Sequence, residues 1–130
     1  MVKLLEELKS ARVKLAVGTS GRGEVTLKVL EEAGLIRFFK VVSSIDDVNL
    51  GKPAPDIFLN AAKKMGVQPE DCVVFEDSPF GIQAAKEARM KVVAVLYDSH
   101  HKRNELEKEK PDLIVESLKD INIAKLKNLF

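Results

Sequence analysis

The feature of this sequence that most constrains its fold is a repeated alternation between two hydrophobic periods. Apolar residues spaced three and four apart, as at Met1, Leu4, Leu5 and Leu8, indicate one face of a helix. A short apolar run that ends in turn residues, as over 13–17 before Gly-Thr-Ser-Gly, indicates a buried strand. Such alternation implies right-handed crossovers between parallel strands, with helices on both faces. The sequence therefore predicts an α/β fold of three layers, α/β/α, around a parallel sheet.

Turn and capping residues divide the chain into elements. Gly34 is a typical stop for a helix that begins near Gly23, and Ser78 followed by Pro79 is typical of a helix start. The next expected helix places Gly81 and other small residues on one side, which lets a helix approach a sheet closely. We expect helices near the N-terminus and over 23–33, 56–65, from 79 onward and 118–126, and strands over 13–17, 39–45, 72–75, 92–96 and 113–115.

Length and composition set the broad class. A chain of 130 residues predicts one domain with its own core, and 45% hydrophobic with 32% charged residues is an ordinary globular balance. A formal net charge of +1 argues against nucleic acid or an acidic membrane as a partner. Cys72 is the single cysteine, so no internal disulfide forms. The first residues contain no apolar signal core, and we expect a cytoplasmic protein.

Ligands of open parallel sheets bind at the carboxyl ends of the strands, and two of the polar groups found there fit an anion. Thr19 and Ser20 follow the first strand, where hydroxyl and free N–H groups form a small anion cradle; plain helix capping is the alternative. Lys52 stands in Gly-Lys-Pro-Ala-Pro-Asp, where two prolines stiffen the segment. A solvated loop lysine is the alternative there.

Two adjacent acids, Glu76 and Asp77, directly follow the third apolar run. A buried carboxylate needs a partner, and oxygen ligands suit Mg²⁺; the alternative is that Asp77 or Ser78 only caps the next helix. A phosphate held on one side and a cation held on the other form a site for phosphoryl transfer.

Three stretches resemble the haloacid dehalogenase superfamily, in the branch that includes β-phosphoglucomutase and sugar-phosphate or nucleotide phosphatases. They are VGTS, GKPAPDIF and VVFEDSPFGIQAAKEARM, and the resemblance runs from about Leu4 to Ser117. Thr19 and Lys52 lie 33 residues apart, and Lys52 and Asp77 lie 25 apart, which suits the family. Receiver domains of response regulators use similar groups, but there the acids come first and the lysine last.

The resemblance implies a Rossmann-like core and a role for each matched residue. Thr19 matches the hydroxyl that binds the transferred phosphoryl group, with Ser20 beside it. Lys52 matches the lysine that neutralises the phosphate and the nucleophile. Asp77 matches the acid that holds Mg²⁺, and Glu76 is its usual neighbour. We therefore expect Lys52 and Asp77 as catalytic residues, Thr19, Ser20 and Lys52 as phosphate ligands, and Asp77 and Glu76 as metal ligands.

The sequence departs from the family at its first motif. The family's nucleophile stands in a D-x-D motif at the end of the first strand, and no D-x-D occurs here; Asp46 and Asp47 are adjacent in a loop. The cap domain that normally follows is also absent, so we expect a core truncated at its N-terminus. Close relatives usually have glycine at the position of Arg89, so arginine predicts a strained turn.

The missing strand is central in the family, between the strands that end at Thr19 and Asp77. Those two strands then pair directly, receive a partner, or keep unpaired edges. We expect a rearranged sheet or a homodimer through exposed sheet edges. For function, we expect a phosphohydrolase or phosphomutase core for small phosphorylated metabolites, with weak or no Mg²⁺ binding and no activity without the nucleophile. A non-catalytic phosphate-binding or protein-interaction module is the alternative.

Overall fold

A computed structural model describes all 130 residues, Met1 to Phe130, and confirms the alternation of helices and strands. The helices are α1 (Val2–Ser10), α2 (Gly23–Glu32), α3 (Asp56–Met65), α4 (Pro79–Glu87), α5 (Arg103–Glu107) and α6 (Ile123–Lys127). The strands are β1 (Ala16–Gly18), β2 (Val41–Ser43), β3 (Val73–Glu76), β4 (Lys91–Val95) and β5 (Leu113–Val115). None of these helices has the length and apolar character needed to cross a membrane.

All strand pairs are parallel, as the sequence predicted. β1 pairs with β2, with Val17 opposite Val42, and β3, β4 and β5 lie side by side in that order, with Phe75 opposite Val93. From β1 the next strand, β2, is added at one edge of the sheet. From β3 the next strands, β4 and β5, are added toward the opposite edge. The reversal falls between β1 and β3, and ligands of open parallel sheets bind at such a reversal point.

Two apolar clusters cover the two faces of the strands and confirm the three layers. On one face, α3, α4 and α5 pack through a cluster that includes the fully buried Ile82 and Leu106. The small side chains of α4 allow this close packing, since Ala84 and Ala85 are 0% exposed. On the other face, Leu4 and Leu8 of α1 pack on β4 and β5 together with residues of α6.

β1 and β3 are not hydrogen-bonded to each other, so the sheet has a two-stranded and a three-stranded part. Leu15 next to β1 and Val73 of β3 pack against the same cluster on the α1 face. On the opposite face, Phe58 of α3 lies against Gly18 of β1 and shares a cluster with Val74 of β3. The expected rearranged sheet was wrong, because the helices hold the two parts in place. We call the strip between Ala16–Gly18 and Val73–Glu76 the slot.

Two strands are shorter than expected. The strand expected over 13–17 begins only at Ala16, because Arg12 turns the chain at a φ of 60° and Val13 is 45% exposed. Lys14, expected inside that strand, donates from Nζ to the Met65 carbonyl at the end of α3 (3.0 Å). The strand expected over 39–45 ends at Ser43, because the next residue caps a 3₁₀ turn.

The expected C-terminal helix over 118–126 is divided in two. Ser117 and Asp120 form a capping box around a 3₁₀ turn at Leu118–Asp120. Asn122 then caps α6 by accepting a hydrogen bond from the Lys125 N–H (2.8 Å). A second capping residue inside the apolar pattern therefore starts a new helix instead of continuing the first.

The turn after α4 stores the strain that the sequence predicted at Arg89. Its φ is 64°, whereas Gly34 and Gly66 occupy equivalent left-handed positions after α2 and α3. We expect Arg89→Gly to raise the free energy of unfolding by about 0.5–1 kcal/mol. The left-handed conformation costs an L residue about 1–2 kcal/mol, which glycine avoids. The greater freedom of glycine in the unfolded chain lowers the free energy of unfolding by about 0.4–1 kcal/mol and offsets part of this gain.

Urea denaturation measures this change. The matched control is Glu87→Gly, two residues earlier within α4, which we expect to lower the free energy of unfolding by about 0.5–1 kcal/mol. Destabilisation by both variants would show that the turn at Arg89 is not strained.

Candidate functional site

Lys52 joins the two parts of the sheet at their carboxyl ends. Its Nζ donates to the carbonyl oxygen of Gly18 in β1 (3.3 Å) and to Oε1 of Glu76 in β3 (2.9 Å). The Lys52 side chain is 11% exposed, and its ammonium lies 4.9 Å from the centre of the Phe58 ring. The alternative of a solvated loop lysine was therefore wrong.

Glu76 is fixed by the start of α4 as well as by Lys52. Its Oε2 accepts a hydrogen bond from Ser78 Oγ (3.0 Å), and its side chain is 10% exposed. Ser78 in turn accepts from the Gly81 N–H (3.1 Å), so it caps α4 while it orients the carboxylate. Gly81 lies so close that a Cβ there would overlap the Glu76 carboxylate. The start of α4 and the carboxylate of Glu76 are therefore fixed relative to each other.

The turn after β1 presents free hydrogen-bond donors next to the carbonyl that Lys52 contacts. Thr19 Oγ1 accepts from the Gly21 N–H (3.0 Å), which tightens the turn. The N–H groups of Ser20 and Arg22 make no hydrogen bond, and Ser20 is exposed. The N-cap of α2 is Arg22, so plain capping by Thr19 or Ser20, the alternative considered for them, was wrong.

Asp46 lies at the start of α2, a placement that no motif of the sequence indicated. Its Oδ2 accepts from the N–H of Gly23, the first residue of α2 (2.9 Å), so a carboxylate from a distant loop satisfies this helix start. Its neighbour Asp47 accepts from the Ser44 N–H (2.9 Å), and this hydrogen bond holds the pKa of Asp47 below its ordinary value. The Gly23 N–H is therefore already paired, whereas the Ser20 N–H is free.

Asp77 directly follows β3 at an exposed position beside Glu76. Its backbone carbonyl accepts from Ser99 Oγ (2.7 Å), which ties the end of β3 to the segment after β4. Both carboxylate oxygens of Glu76 already have partners, and the chain contains no group of three Asp, Glu, His or Cys side chains placed to hold a metal. The sequence-predicted ligand pair thus provides one free carboxylate, which is less than a complete Mg²⁺ site.

A cavity of about 220 Å³ opens at the carboxyl ends of β3 and β4. It is lined by Phe75, Glu76, Asp77, Val95, Tyr97 and Leu118. Ligand pockets for drug-sized molecules are about 300–1,000 Å³, so this space is smaller than such pockets, and four of its six lining residues are apolar or aromatic. Thr19, Ser20 and Lys52 do not line this cavity. Lys52 contacts Gly18 and Glu76, the chain neighbours of Thr19 and Asp77, and we call these carboxyl ends of β1 and β3, with Ser20, the rim. The roles of Thr19, Ser20, Lys52, Glu76 and Asp77 stay predictions.

The largely buried ion pair predicts a strong coupling between Lys52 and Glu76. Lys52→Met leaves the carboxylate without its cation, and we expect the free energy of unfolding to fall by about 2–3 kcal/mol. Adding Glu76→Gln recovers about 1 kcal/mol or more, because the double variant buries no unpaired charge. A double-mutant cycle in urea measures the coupling.

The control cycle uses Arg103 and Glu107, whose side chains are 53% and 52% exposed. We expect a coupling below about 0.5 kcal/mol for this pair. Equal coupling energies in the two cycles would contradict the role given to burial.

The contact between Gly81 and Glu76 reverses the usual effect of an alanine in a helix. Gly→Ala within a helix stabilises by about 0.5–1 kcal/mol, but here the new methyl group displaces the carboxylate from Lys52. We expect Gly81→Ala to lower the free energy of unfolding by about 1–2 kcal/mol. In a Glu76→Ala background the same substitution becomes neutral or stabilising, and destabilisation in both backgrounds would place the clash elsewhere.

The amino-acid sequence of this chain is similar to those of known phosphatases. Residues 1–95 match the family model of haloacid dehalogenase-like hydrolases. The chain is 47% identical over 94 residues to fructose-1-phosphate phosphatase YqaB of Escherichia coli, which covers 71% of this chain and 50% of that protein. It is 37% identical over 123 residues to the phosphorylated carbohydrates phosphatase of Thermotoga maritima, which covers 90% of this chain and 57% of the relative.

A solved structure extends the likeness to the whole fold. The β-phosphoglucomutase of Clostridium difficile matches 98% of this chain with a TM-score of 0.86 at 26% identity, and the chain covers 53% of that protein. The match includes both parts of the sheet, and the chain spans about half the length of such relatives. The family expected from the sequence is confirmed, and the chain belongs to the haloacid dehalogenase-like hydrolases.

Proposed function

We propose that these residues form the larger part of a phosphohydrolase or phosphomutase site for small phosphorylated metabolites. One observation carries the proposal: the largely buried ammonium group of Lys52 lies at the carboxyl ends of β1 and β3 and contacts Gly18, the residue before the Thr19 turn. A fixed cation beside hydroxyl and N–H donors suits a phosphate dianion. Relatives named as phosphatases of fructose 1-phosphate and of phosphorylated carbohydrates support this substrate class.

Each residue of the rim has a distinct part in the proposed site. Thr19 and Ser20 bind phosphate oxygens through hydroxyl and N–H groups, and Lys52 balances the charge. A lysine about 4 Å from a single negative charge contributes about 4 kcal/mol of Coulomb energy at an effective dielectric near 20, before desolvation. Glu76 positions Lys52, so the ammonium is in place before the substrate arrives. Asp77, whose carboxylate has no partner, is the candidate metal ligand and catalytic acid on the β3 side of the rim.

Phosphatases of this family generally use Mg²⁺, but this chain does not supply a full ligand set for it. Asp77 has a free carboxylate, whereas Glu76 is engaged by Lys52 and Ser78. We expect these 130 residues to bind Mg²⁺ with a roughly millimolar or weaker affinity.

The same residues lack the family's D-x-D nucleophile. Removal of a covalent nucleophile costs about 10⁶ in turnover in a well-studied hydrolase, so we expect no appreciable hydrolysis by the 130 residues alone. A second function, a non-catalytic phosphate-binding or interaction module, is favoured by the mutual pairing of Lys52 and Glu76. That ion pair neutralises the charge of Lys52 without any ligand.

Titration with inorganic phosphate, followed by NMR of the backbone amides, tests the phosphate site. We expect shifts at Ser20 and Arg22 with weak affinity, which Lys52→Met removes and Ser20→Ala weakens several-fold. Lys28→Met, on the exposed face of α2, is the matched control and leaves the shifts unchanged. Ser20 is exposed, so its variant stays folded even where Lys52→Met does not.

A hydrolysis assay with a generic phosphomonoester and Mg²⁺ accompanies the titration. We expect no turnover above buffer for the 130 residues. Mg²⁺-dependent turnover that Lys52→Met abolishes would overturn the proposed inactivity, and a lack of phosphate shifts would overturn the site itself.

A further inference from the structure

We infer that Ser99 is a positioning residue for Asp77. Its hydroxyl group holds the piece of backbone from which the Asp77 carboxylate reaches the rim, although the two residues lie 22 apart in the sequence. The inference deepens the proposed function and rests on it for the role of Asp77.

Asp77 is held in place by a single hydrogen bond. Its carbonyl oxygen accepts from Ser99 Oγ (2.7 Å), whereas its N–H and its carboxylate have no hydrogen-bond partner and the residue is exposed. The neighbours on both sides are fixed, Glu76 by Lys52 and Ser78 by the start of α4. Ser99 therefore supplies the one polar contact that fixes the backbone at Asp77.

Ser99 is itself fixed by the turn that follows β4. The Ser99 N–H donates to the Leu96 carbonyl (3.0 Å), and the Leu96 N–H donates to the Val115 carbonyl at the end of β5 (3.0 Å). Within this turn Asp98 adopts a left-handed conformation with a φ of 59°, which aspartate tolerates better than most residues. The turn is thus anchored on the sheet and directs Ser99 back toward the end of β3.

A second contact leaves the Ser99 hydroxyl proton directed at Asp77. The His101 N–H donates to Ser99 Oγ (3.1 Å), so the oxygen accepts one hydrogen bond while it donates another, and hydrogen bonds in such a chain strengthen one another. The His101 ring also pairs through Nδ1 with Oε2 of Glu105 in α5 (2.8 Å). Since the fully buried Leu106 anchors α5, the position of Asp77 is tied to that helix.

The elements around this contact do not need it to stay in place. β4 is paired on both sides, and Leu106 of α5 shares an apolar cluster with Ile82 of α4. Loss of the Ser99 hydroxyl therefore releases the backbone at Asp77 and leaves the helices and strands where they are. A catalytic group is effective only when it is held close to its productive position, so the contact matters for the chemistry of the rim more than for stability.

NMR of the isotope-labelled 130-residue chain tests the inference. In the unchanged chain we expect an amide order parameter of about 0.85 at Asp77, which is typical of rigid backbone. We expect Ser99→Ala to lower it to about 0.6 or less and to move the Asp77 carbonyl ¹³C resonance toward that of a water-exposed carbonyl. Ser99→Thr keeps the hydroxyl group and restores both signals.

Ser117→Ala is the matched control. Like Ser99, Ser117 is half-buried and its Oγ accepts from the N–H two residues further on, that of Lys119 (3.2 Å), but it donates to no distant carbonyl. We expect this variant to leave the order parameter and the carbonyl resonance of Asp77 unchanged.

The amide exchange of Gly81 separates positioning from a general structural role. Its N–H donates to Ser78 Oγ at the start of α4, one turn of backbone away from Asp77. We expect Ser99→Ala to leave its exchange rate unchanged, whereas a general loosening of the structure raises it.

Five results would overturn the inference. They are an Asp77 order parameter below about 0.6 in the unchanged chain, unchanged Asp77 signals in Ser99→Ala, equal changes in Ser117→Ala, no restoration by Ser99→Thr, and faster Gly81 exchange in Ser99→Ala. The first is measured without any variant, so the inference is testable even where Ser99→Ala does not fold. Phosphate shifts at Ser20 are measured separately: their absence beside a fixed Asp77 overturns the proposed function alone, and their presence beside a mobile Asp77 overturns the positioning alone.

Discussion

The ion pair between Lys52 and Glu76 is the interaction on which the arrangement of the rim depends. It is the one contact in which a side chain reaches both parts of the divided sheet at their carboxyl ends. The apolar ring of Phe58 lies under the ammonium, and the start of α4 fixes the carboxylate through Ser78. Both charges are nearly buried, so the loss of either one leaves the other without its partner. A shift of α3 or α4 that moves one of these side chains therefore displaces the other.

The position of this pair follows from the topology of the chain. The strand order runs outward from β1 to β2 on one side of the sheet and from β3 to β4 and β5 on the other. The helices that follow β1 and β3 therefore lie on opposite faces, and a crevice forms between them at the reversal point. The turn at Thr19 and the acids after β3 border this crevice. A fold of this kind brings together residues that are far apart in sequence without a dedicated binding domain, and here it places a cation between the donor turn and the acids.

The sequence predicted the helices, the parallel strands and the family because these depend on periodicity, capping residues and contiguous motifs. It did not predict the roles of Gly18 and Gly81, which are small because Phe58 and Glu76 approach them through tertiary contacts. It also overestimated the first strand, since Val13 is apolar yet exposed after the turn at Arg12. The motif that contains Lys52 is recognisable from the sequence. Whether its ammonium pairs with Glu76 or stays in solvent depends instead on how α3 packs, which the sequence does not show.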